Sequence, residues 1–178
     1  MTRRIDDEVA LQAPIRFGES FRHQYPWAEK SATEAVVNLI RTADLLMERV
    51  APLARKYGIS ASASNVLGIL EGAGEPLPPQ VISQRLFSHP ATVTGLLDSL
   101  ERRDLVRRTP HPTDRRKLLI ELTDEGRAVH QALLPEILRA EIDWMGCLSQ
   151  DEQEALVGLL GRIQTCLYEL SKQDGEAR

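Results

Sequence analysis

At 178 residues the chain is long enough for one medium-sized domain, or for a small domain with additional helices. Hydrophobic residues make up 42% of it and charged residues 27%, a balance typical of globular proteins and too polar for a membrane protein. The start of the chain turns acidic where a signal peptide would turn apolar, so we expect a cytoplasmic protein without membrane contact. The two cysteines and four histidines show neither a disulfide framework nor metal-ligand spacing, and we expect no metal and no other cofactor.

The net charge of −4 conceals a basic segment in the middle of the chain. Between residues 85 and 117, eight basic residues stand against four acidic ones, a net charge of +4, which leaves −8 for the rest. A basic segment between acidic ones is expected when one face of a protein meets phosphate groups. Taken alone, this pattern fits a solvated charged surface equally well.

The beginning of the chain predicts an arm and a long helix. Charges, prolines and isolated aromatic residues show no sustained period over residues 1–30, which indicates an arm with at most a short helix. Ser31 followed by Glu34 has the form of a capping box. Apolar residues behind it recur at steps of four and three, so an amphipathic helix is predicted as far as Gly58.

The middle of the chain predicts three short helices and a hairpin. Helices are predicted over residues 60–71, 78–86 and 88–103, and strands over residues 105–109 and 117–122. Ser88 is the expected N-cap of the third helix, with Pro90 in its first turn, where a proline loses no helical hydrogen bond. Prolines stiffen the hairpin tip, which carries Asp114, Arg115 and Arg116.

The helix predicted over residues 88–103 has two different sides. One is an apolar stripe made of Val93, Leu96, Leu97 and Leu100. The opposite side and its flanks carry Ser88, Ala91, Thr92, Thr94, Gly95, Asp98, Ser99 and Arg102. Such a helix fits the major groove of DNA, because Ala91 and Gly95 admit close approach to base edges and the hydroxyl groups can bind bases or phosphates. Outward alanine and glycine equally fit close packing against another helix.

A basic hairpin directly behind such a helix is the order of a winged helix-turn-helix. Arg115 and Arg116 would extend past the compact body, where an arginine can enter the minor groove. Paired arginines in a loop are most often plain surface charge. Behind a capped helix with a polar side, however, the DNA-binding interpretation is favoured.

Further along the chain, Thr123 is expected to cap a long helix through about residue 145, and Ser149 with Glu152 forms a second capping box. The last helix carries leucines and an isoleucine at alternating steps of four and three. This is the spacing of a helix that packs along another helix.

Four segments together resemble a known family: Ala91-Thr92-Val93-Thr94, Leu105-Val106-Arg107-Arg108, Pro112-Thr113-Asp114-Arg115-Arg116-Lys117 and Leu122-Thr123-Asp124-Glu125-Gly126. Over about residues 34–170 the chain resembles the MarR (multiple antibiotic resistance regulator) family of winged helix-turn-helix transcription factors. The resemblance implies a mainly α-helical fold with a small β-hairpin wing, and a homodimer held by N- and C-terminal helices. It also implies that Asp114 holds one wing arginine in position while the other reaches DNA.

The organisation that follows is an arm at residues 1–30, a dimerisation helix at 31–58, a winged helix-turn-helix domain at 59–122 and C-terminal dimerisation helices at 123–178. The expected DNA-binding residues are Ser88, Pro90, Ala91, Thr92, Thr94, Gly95, Arg102, Asp114, Arg115 and Arg116. The expected dimerisation residues are Val36, Ile40, Leu156, Leu160, Ile163, Leu167 and Leu170.

The chain departs from the family pattern at four positions, one of which is Ile82, where the family prefers alanine and where the larger side chain would set the two crossing helices slightly farther apart. Gly95 and Ser99 stand where members often carry arginine, so the wing would supply more of the affinity. Asp104 replaces a glycine before the first strand, which is tolerable because aspartate can adopt a left-handed conformation.

The resemblance also bears on regulation. The family commonly binds a small aromatic effector between the dimer helices and the winged domain. His23, Tyr25, Trp27 and Arg41 would contribute to such a cleft if the arm folds back, whereas arm aromatics more often anchor a flexible segment. Oxidation of Cys147 or Cys166 is another route, although a small buried hydrophobic role is commoner for cysteine.

The sequence thus predicts a sequence-specific DNA-binding transcriptional regulator, a repressor that binds an inverted-repeat operator in double-stranded DNA as a homodimer and is released by a small aromatic effector. A constitutive DNA-binding dimer without an effector and a winged-helix protein-interaction module remain as alternatives. An enzyme is not expected, since the sequence shows no Ser-His-Asp order, phosphate-binding glycine loop or paired carboxylates on one helical face.

Overall fold

A computed structural model of the chain describes residues 13–86, 88–114 and 116–176. The elements are α1 (Ser20–Gln24), α2 (Lys30–Lys56), α3 (Ala61–Ala73), α4 (Pro79–Leu86), α5 (Pro90–Glu101), β1 (Val106–Pro110), β2 (Leu118–Leu122), α6 (Asp124–Met145) and α7 (Gln150–Glu176). The chain forms two compact units, of which the first ends at His130 and the second begins at Gln131. A mainly α-helical fold with one small hairpin is the predicted fold class, which is confirmed.

Helix α2 starts differently from the prediction. Its N-cap is Glu29, whose side chain accepts a hydrogen bond from the Ser31 amide. The predicted capping box of Ser31 and Glu34 is wrong, because Glu34 binds the arm instead. Its carboxylate accepts hydrogen bonds from the Arg16 guanidinium at 2.8 Å and from the Phe17 amide at 2.7 Å. These two bonds, the one with Arg16 foremost, hold the pKa of Glu34 below its ordinary value.

The arm is docked along one face of α2. The side chain of Asn38 accepts a hydrogen bond from the Ile15 amide at 2.8 Å and donates one to the Ile15 carbonyl at 2.9 Å. Arg41 donates to the carbonyl of Ala13 at 3.1 Å. Ala13, Ile15 and Phe17 therefore bond successive turns of α2, and these bonds fix the direction in which this short segment runs.

The core of the first unit lies where α3, α4, α5 and the hairpin meet. Side chains that are at most 2% exposed come from all of these elements: Val66, Leu67, Ile82, Val93, Leu97, Leu100, Leu105, Val106 and Ile120. Burying a side chain of this size stabilises a fold by about 1.5–3 kcal/mol. Leu77 lies beside the hairpin, since it exchanges two backbone hydrogen bonds with Ile120 at 2.9 and 2.8 Å. The core therefore holds α5 and the hairpin on one scaffold.

The hairpin pairs antiparallel, from Val106 opposite Leu122 to Pro110 opposite Leu118. Asp104, just before β1, has a φ of +56°, so the expected left-handed conformation is present. Thr123 caps α6 as predicted, since its hydroxyl oxygen accepts a hydrogen bond from the Gly126 amide at 2.9 Å.

In the second unit, the predicted capping box before α7 is confirmed. The Ser149 amide donates to Glu152 at 2.8 Å, and the Glu152 amide donates to the Ser149 hydroxyl at 3.3 Å. Over the described residues, none of the helices combines the length and apolar character needed to span a membrane. The same residues contain no group of three or more His, Cys, Asp or Glu side chains placed to hold a metal ion.

Candidate nucleic-acid interface

Helix α5 is capped by His89, whose side chain accepts a hydrogen bond from the Ala91 amide at 3.3 Å. The prediction that Ser88 is the N-cap is wrong, because Ser88 closes the turn behind α4 instead. Its amide donates to the carbonyl of Ser83 at 3.1 Å, and its carbonyl accepts from the Ser83 hydroxyl at 2.6 Å. Pro90 occupies the first turn of the helix, as predicted.

The two sides of α5 are those that the sequence predicted. Val93, Leu97 and Leu100 are each 1% exposed, whereas Leu96 is only half-buried. The exposed residues on the other side are Pro90, Ala91, Thr92, Thr94, Gly95, Ser99 and Arg102. Apart from the neighbouring backbone of α5 itself, no heavy atom of the described residues lies within 4 Å of where a Cβ on Gly95 would stand. This side of α5 is therefore open and does not pack against another helix of its own unit.

The three hydroxyl groups predicted to meet DNA are not equivalent. Thr94 donates to the carbonyl of Pro90 at 3.0 Å, and Ser88 donates to the carbonyl of Leu86 at 3.2 Å. The exposed hydroxyl of Thr92 forms no hydrogen bond with any described residue. Because phosphate oxygens are acceptors, Thr92 is the hydroxyl best placed to donate to DNA without breaking an internal bond.

The wing, residues 106–122, is shaped at its tip by Asp114. The Asp114 carboxylate accepts a hydrogen bond from the Arg116 amide at 3.1 Å and lies 3.7 Å from the Lys117 ammonium group. The predicted DNA-binding residue Arg115 lies outside the described residues. The Arg116 side chain is exposed and forms no ion pair in the described part of the chain. The role implied for Asp114, holding an arginine side chain, stays a prediction.

Two wing arginines are occupied by ion pairs within the fold. Arg107 pairs with Glu121, the residue opposite it in the hairpin, and this bond raises the pKa of Arg107. The Arg108 guanidinium lies 2.6 Å from the Asp98 carboxylate and also binds Glu101, which ties the wing to α5. The hydrogen bond with Asp98 is the main reason why the pKa of Arg108 is raised.

Arg103 is also engaged within the fold, since its guanidinium donates to the carbonyls of Tyr57, at 3.0 Å, and Gly58. Among the described basic residues between 85 and 117, those exposed and without an ion pair or side-chain hydrogen bond are Arg85, Arg102 and Arg116. The charge count from sequence therefore overstates the positive charge available to DNA. Pairing Arg107 with Glu121 across the predicted hairpin would have revealed part of this.

The residues predicted for an effector cleft lie on the arm and beside it. Ring contacts at centroid distances of 4.6, 5.4 and 6.2 Å join Phe17, Phe21, Tyr25 and Trp27 in order. Trp27 is 84% exposed, and His23 is exposed on α1. Arg41 binds the arm backbone at Ala13. The arm therefore presents an open aromatic surface, whereas Arg41 serves to dock it.

The residues predicted for dimerisation are largely exposed. In α2, Val36 and Ile40 are 56% and 58% exposed. In the second unit, Leu160 is half-buried, and the exposed residues are Leu156, Ile163, Leu167 and Leu170. Cys147 and Cys166 are both free and exposed, so the expectation that they fill buried hydrophobic positions is wrong.

Comparison with known proteins agrees with this geometry. Residues 57–117 match the family model described as the MarR family. The HTH-type transcriptional regulator PecS of Dickeya dadantii is 30% identical over 148 residues, which cover 82% of this chain and 89% of that relative. The HTH-type transcriptional repressor YetL of Bacillus subtilis is 36% identical over 107 residues, or 60% and 64% of the two chains. The crystal structure of CouR from Rhodococcus jostii RHA1 bound to p-coumaroyl-CoA matches with a TM-score of 0.65 and 25% identity, over 70% of this chain and 87% of that one.

Proposed function

This chain belongs to the MarR family of DNA-binding transcriptional regulators, and from that premise we propose that it is a homodimeric repressor released from its operator by a small aromatic ligand. In this proposal the operator is an inverted repeat, read by one α5 helix from each subunit. We assign DNA binding to residues 59–122 and dimerisation to residues 31–58 and 123–178.

The main support for DNA binding is the open side of α5. Three buried side chains, Val93, Leu97 and Leu100, anchor the helix, while its small and polar residues face outward. Gly95 and Ala91 would let the backbone approach base edges, and Thr92 has a hydroxyl group to donate. We therefore regard α5 as the recognition helix.

Charge supports the same surface. Arg102 at the end of α5 and Arg116 at the wing tip are exposed and have no internal ion pair among the described residues. Positions 95 and 99 of the recognition helix carry glycine and serine in place of arginine. We therefore expect Arg102 and Arg116 to supply most of the electrostatic part of the affinity. Arg115 is assigned to the same group from the sequence.

Dimerisation is supported by exposed apolar side chains in both units. Val36 and Ile40 on α2 and Leu167 on α7 are each more than half exposed. Apolar side chains that recur along one helix face commonly mark a surface that another chain covers. A two-fold dimer would place its recognition helices about 34 Å apart, one turn of DNA.

The effector is inferred from the aromatic surface of the arm. Tyr25 and Trp27 meet edge to face, with ring centroids 6.2 Å apart, and Trp27 is almost fully exposed. CouR was solved with an aromatic thioester bound. A ligand that binds better to a dimer with displaced recognition helices would lower operator affinity without any catalytic step.

The test starts from a randomised duplex pool, because the operator is selected by the protein itself. The full chain should enrich an inverted repeat with half-site centres about 10 base pairs apart. Arg116→Ala should weaken binding to this duplex and reduce the slope of log affinity against log salt by about 1, whereas Arg139→Ala, an exposed arginine of the second unit, should change neither. Enrichment of unrepeated sites, or none, would contradict the proposal.

A second experiment tests the ligand. It uses the selected duplex with a panel of aromatic carboxylic acids and their coenzyme A thioesters. At least one should reduce operator affinity and change the fluorescence of Trp27, measured in a Trp144→Phe background. Unchanged affinity with the whole panel would favour a constitutive DNA-binding dimer.

A further inference from the structure

Arg103 stands two residues beyond α5 and reaches back to the end of α2. Its guanidinium donates to the carbonyl of Tyr57 at 3.0 Å and to the carbonyl of Gly58. These carbonyls belong to the C-terminal end of α2, where the helix leaves acceptors without amide partners of its own. A cation at this end is also favoured by the helix dipole.

The backbone around Gly58 leaves room for this contact. Gly58 has a φ of +70°, and a Cβ at this position would lie 2.8 Å from both terminal nitrogens of Arg103. A side chain here would therefore displace the guanidinium. The left-handed turn that ends α2 therefore also provides the position at which the Arg103 guanidinium binds.

Few other contacts connect these two helices directly. Helix α2 packs on α3, and α5 packs on α3, α4 and β1. The Arg103 bonds thus link the end of α2 directly to the end of the recognition helix. The neighbouring Arg102 is exposed and forms no side-chain bond within the described residues, so the two adjacent arginines have different surroundings.

We propose that Arg103 is a positioning residue that fixes the recognition helix to the end of α2 and so sets the distance between the two recognition helices of the dimer. This inference rests on the proposed function, in which α2 lies in the dimer interface. A helix of 27 residues is about 40 Å long, so α2 can connect an interface near Val36 to the DNA-binding domain. Without Arg103, the position of each recognition helix relative to α2 would vary more.

The inference is tested by spacing, not by affinity alone. The selected duplex is remade with the half-sites moved closer or farther apart by one and two base pairs. Wild-type affinity should fall about tenfold for a shift of two base pairs, whereas Arg103→Ala should lose less than about threefold for the same shift. Arg103→Lys, which keeps the cation but not the planar fork, should restore part of the spacing dependence. Arg102→Ala is the matched control and should weaken binding equally at every spacing.

Each outcome of this experiment decides the matter. If Arg103→Ala weakens binding equally at all spacings and lowers the salt slope, Arg103 is a phosphate contact and the inference is wrong. Unchanged behaviour of Arg103→Ala overturns it as well. If Arg103→Ala does not fold, as judged by thermal unfolding, a spacing dependence in Arg103→Lys identical to the wild type overturns it and a weaker one supports it. If the wild-type chain enriches no inverted repeat, the proposed function fails, and this inference fails with it.

Discussion

The guanidinium of Arg108 lies 2.6 Å from the carboxylate of Asp98, and this ion pair joins the first strand of the wing to α5. The Arg108 side chain is 25% exposed, and Glu101 binds it from the same helix. One of the eight basic residues of the middle segment is therefore part of the scaffold and not a charge free to meet DNA. It fixes the position of the wing relative to α5, as we expect if both elements contact one duplex.

A double-mutant cycle measures the strength of this link. Arg108→Ala should lower the free energy of unfolding by about 1–2 kcal/mol, because it leaves two carboxylates without their cation. The coupling energy between Arg108→Ala and Asp98→Ala in urea unfolding should be about 1 kcal/mol. Arg102→Ala should change the free energy of unfolding by less than about 0.5 kcal/mol. Strict additivity of the two substitutions would show that the pair contributes nothing.

Gly126 tests how closely α6 approaches the turn before the wing. A Cβ at this position would clash with the carbonyl oxygen of Leu105, which also accepts a hydrogen bond from the Thr123 amide. Gly126→Ala should therefore lower the free energy of unfolding by about 3 kcal/mol or more. Gly72→Ala is the control, since apart from the neighbouring backbone of α3 no described atom lies within 4 Å of its Cβ position. It should be neutral or stabilise α3 by up to about 1 kcal/mol. Equal effects of the two substitutions would refute this explanation.

Docking of the arm should depend on pH through Glu34. Because its pKa in the folded chain lies below the ordinary value of 4.5, Glu34 stabilises the docked arm fully above pH 4.5. This stabilisation is lost as the pH falls from 4.5 through the lower folded value. Hydrogen-exchange protection of the Ile15 and Phe17 amides should decrease over that range. Glu34→Gln should show less protection at neutral pH and little further change on acidification. If the Phe17 amide of the wild type stays fully protected below the folded pKa of Glu34, docking of the arm does not depend on the charge of this carboxylate.

The parts of the fold that sequence could predict are those decided by local chemistry. The apolar stripe of Val93, Leu97 and Leu100 follows from helical periodicity alone. The caps at Thr123 and Ser149 need only residues a few positions away. The left-handed turn at Asp104 is likewise a local property, because few residue types tolerate that conformation.

The errors arose where another hydrogen-bond partner competed with the predicted one, and for Glu34 this partner is distant in the chain. Glu34 matches a capping box, but the guanidinium of Arg16 and the amide of Phe17 bind its carboxylate instead. For Ser88 the competitor is local, since its carbonyl accepts a hydrogen bond from the Ser83 hydroxyl and the next residue, His89, caps α5 instead. The contact of Arg103 could not be predicted for the same reason as that of Glu34, because the Gly58 carbonyl that it binds lies 45 residues away in the chain. Neither periodicity nor motif spacing reports on such pairs.

If the open side of α5 enters DNA, a carboxylate placed there should prevent binding, whereas a carboxylate at an open glycine of another helix should not. Gly95→Glu and Gly72→Glu each place a carboxylate at an open helical glycine, the first on α5 and the second on α3. Fluorescence anisotropy with the selected duplex should show about a hundredfold loss of affinity for Gly95→Glu, because the side chain brings negative charge and bulk against the base edges. Gly72→Glu should bind within about threefold of the wild type, with thermal midpoints similar in both variants. If Gly95→Glu binds the duplex as well as Gly72→Glu does, the recognition helix has been assigned to the wrong surface.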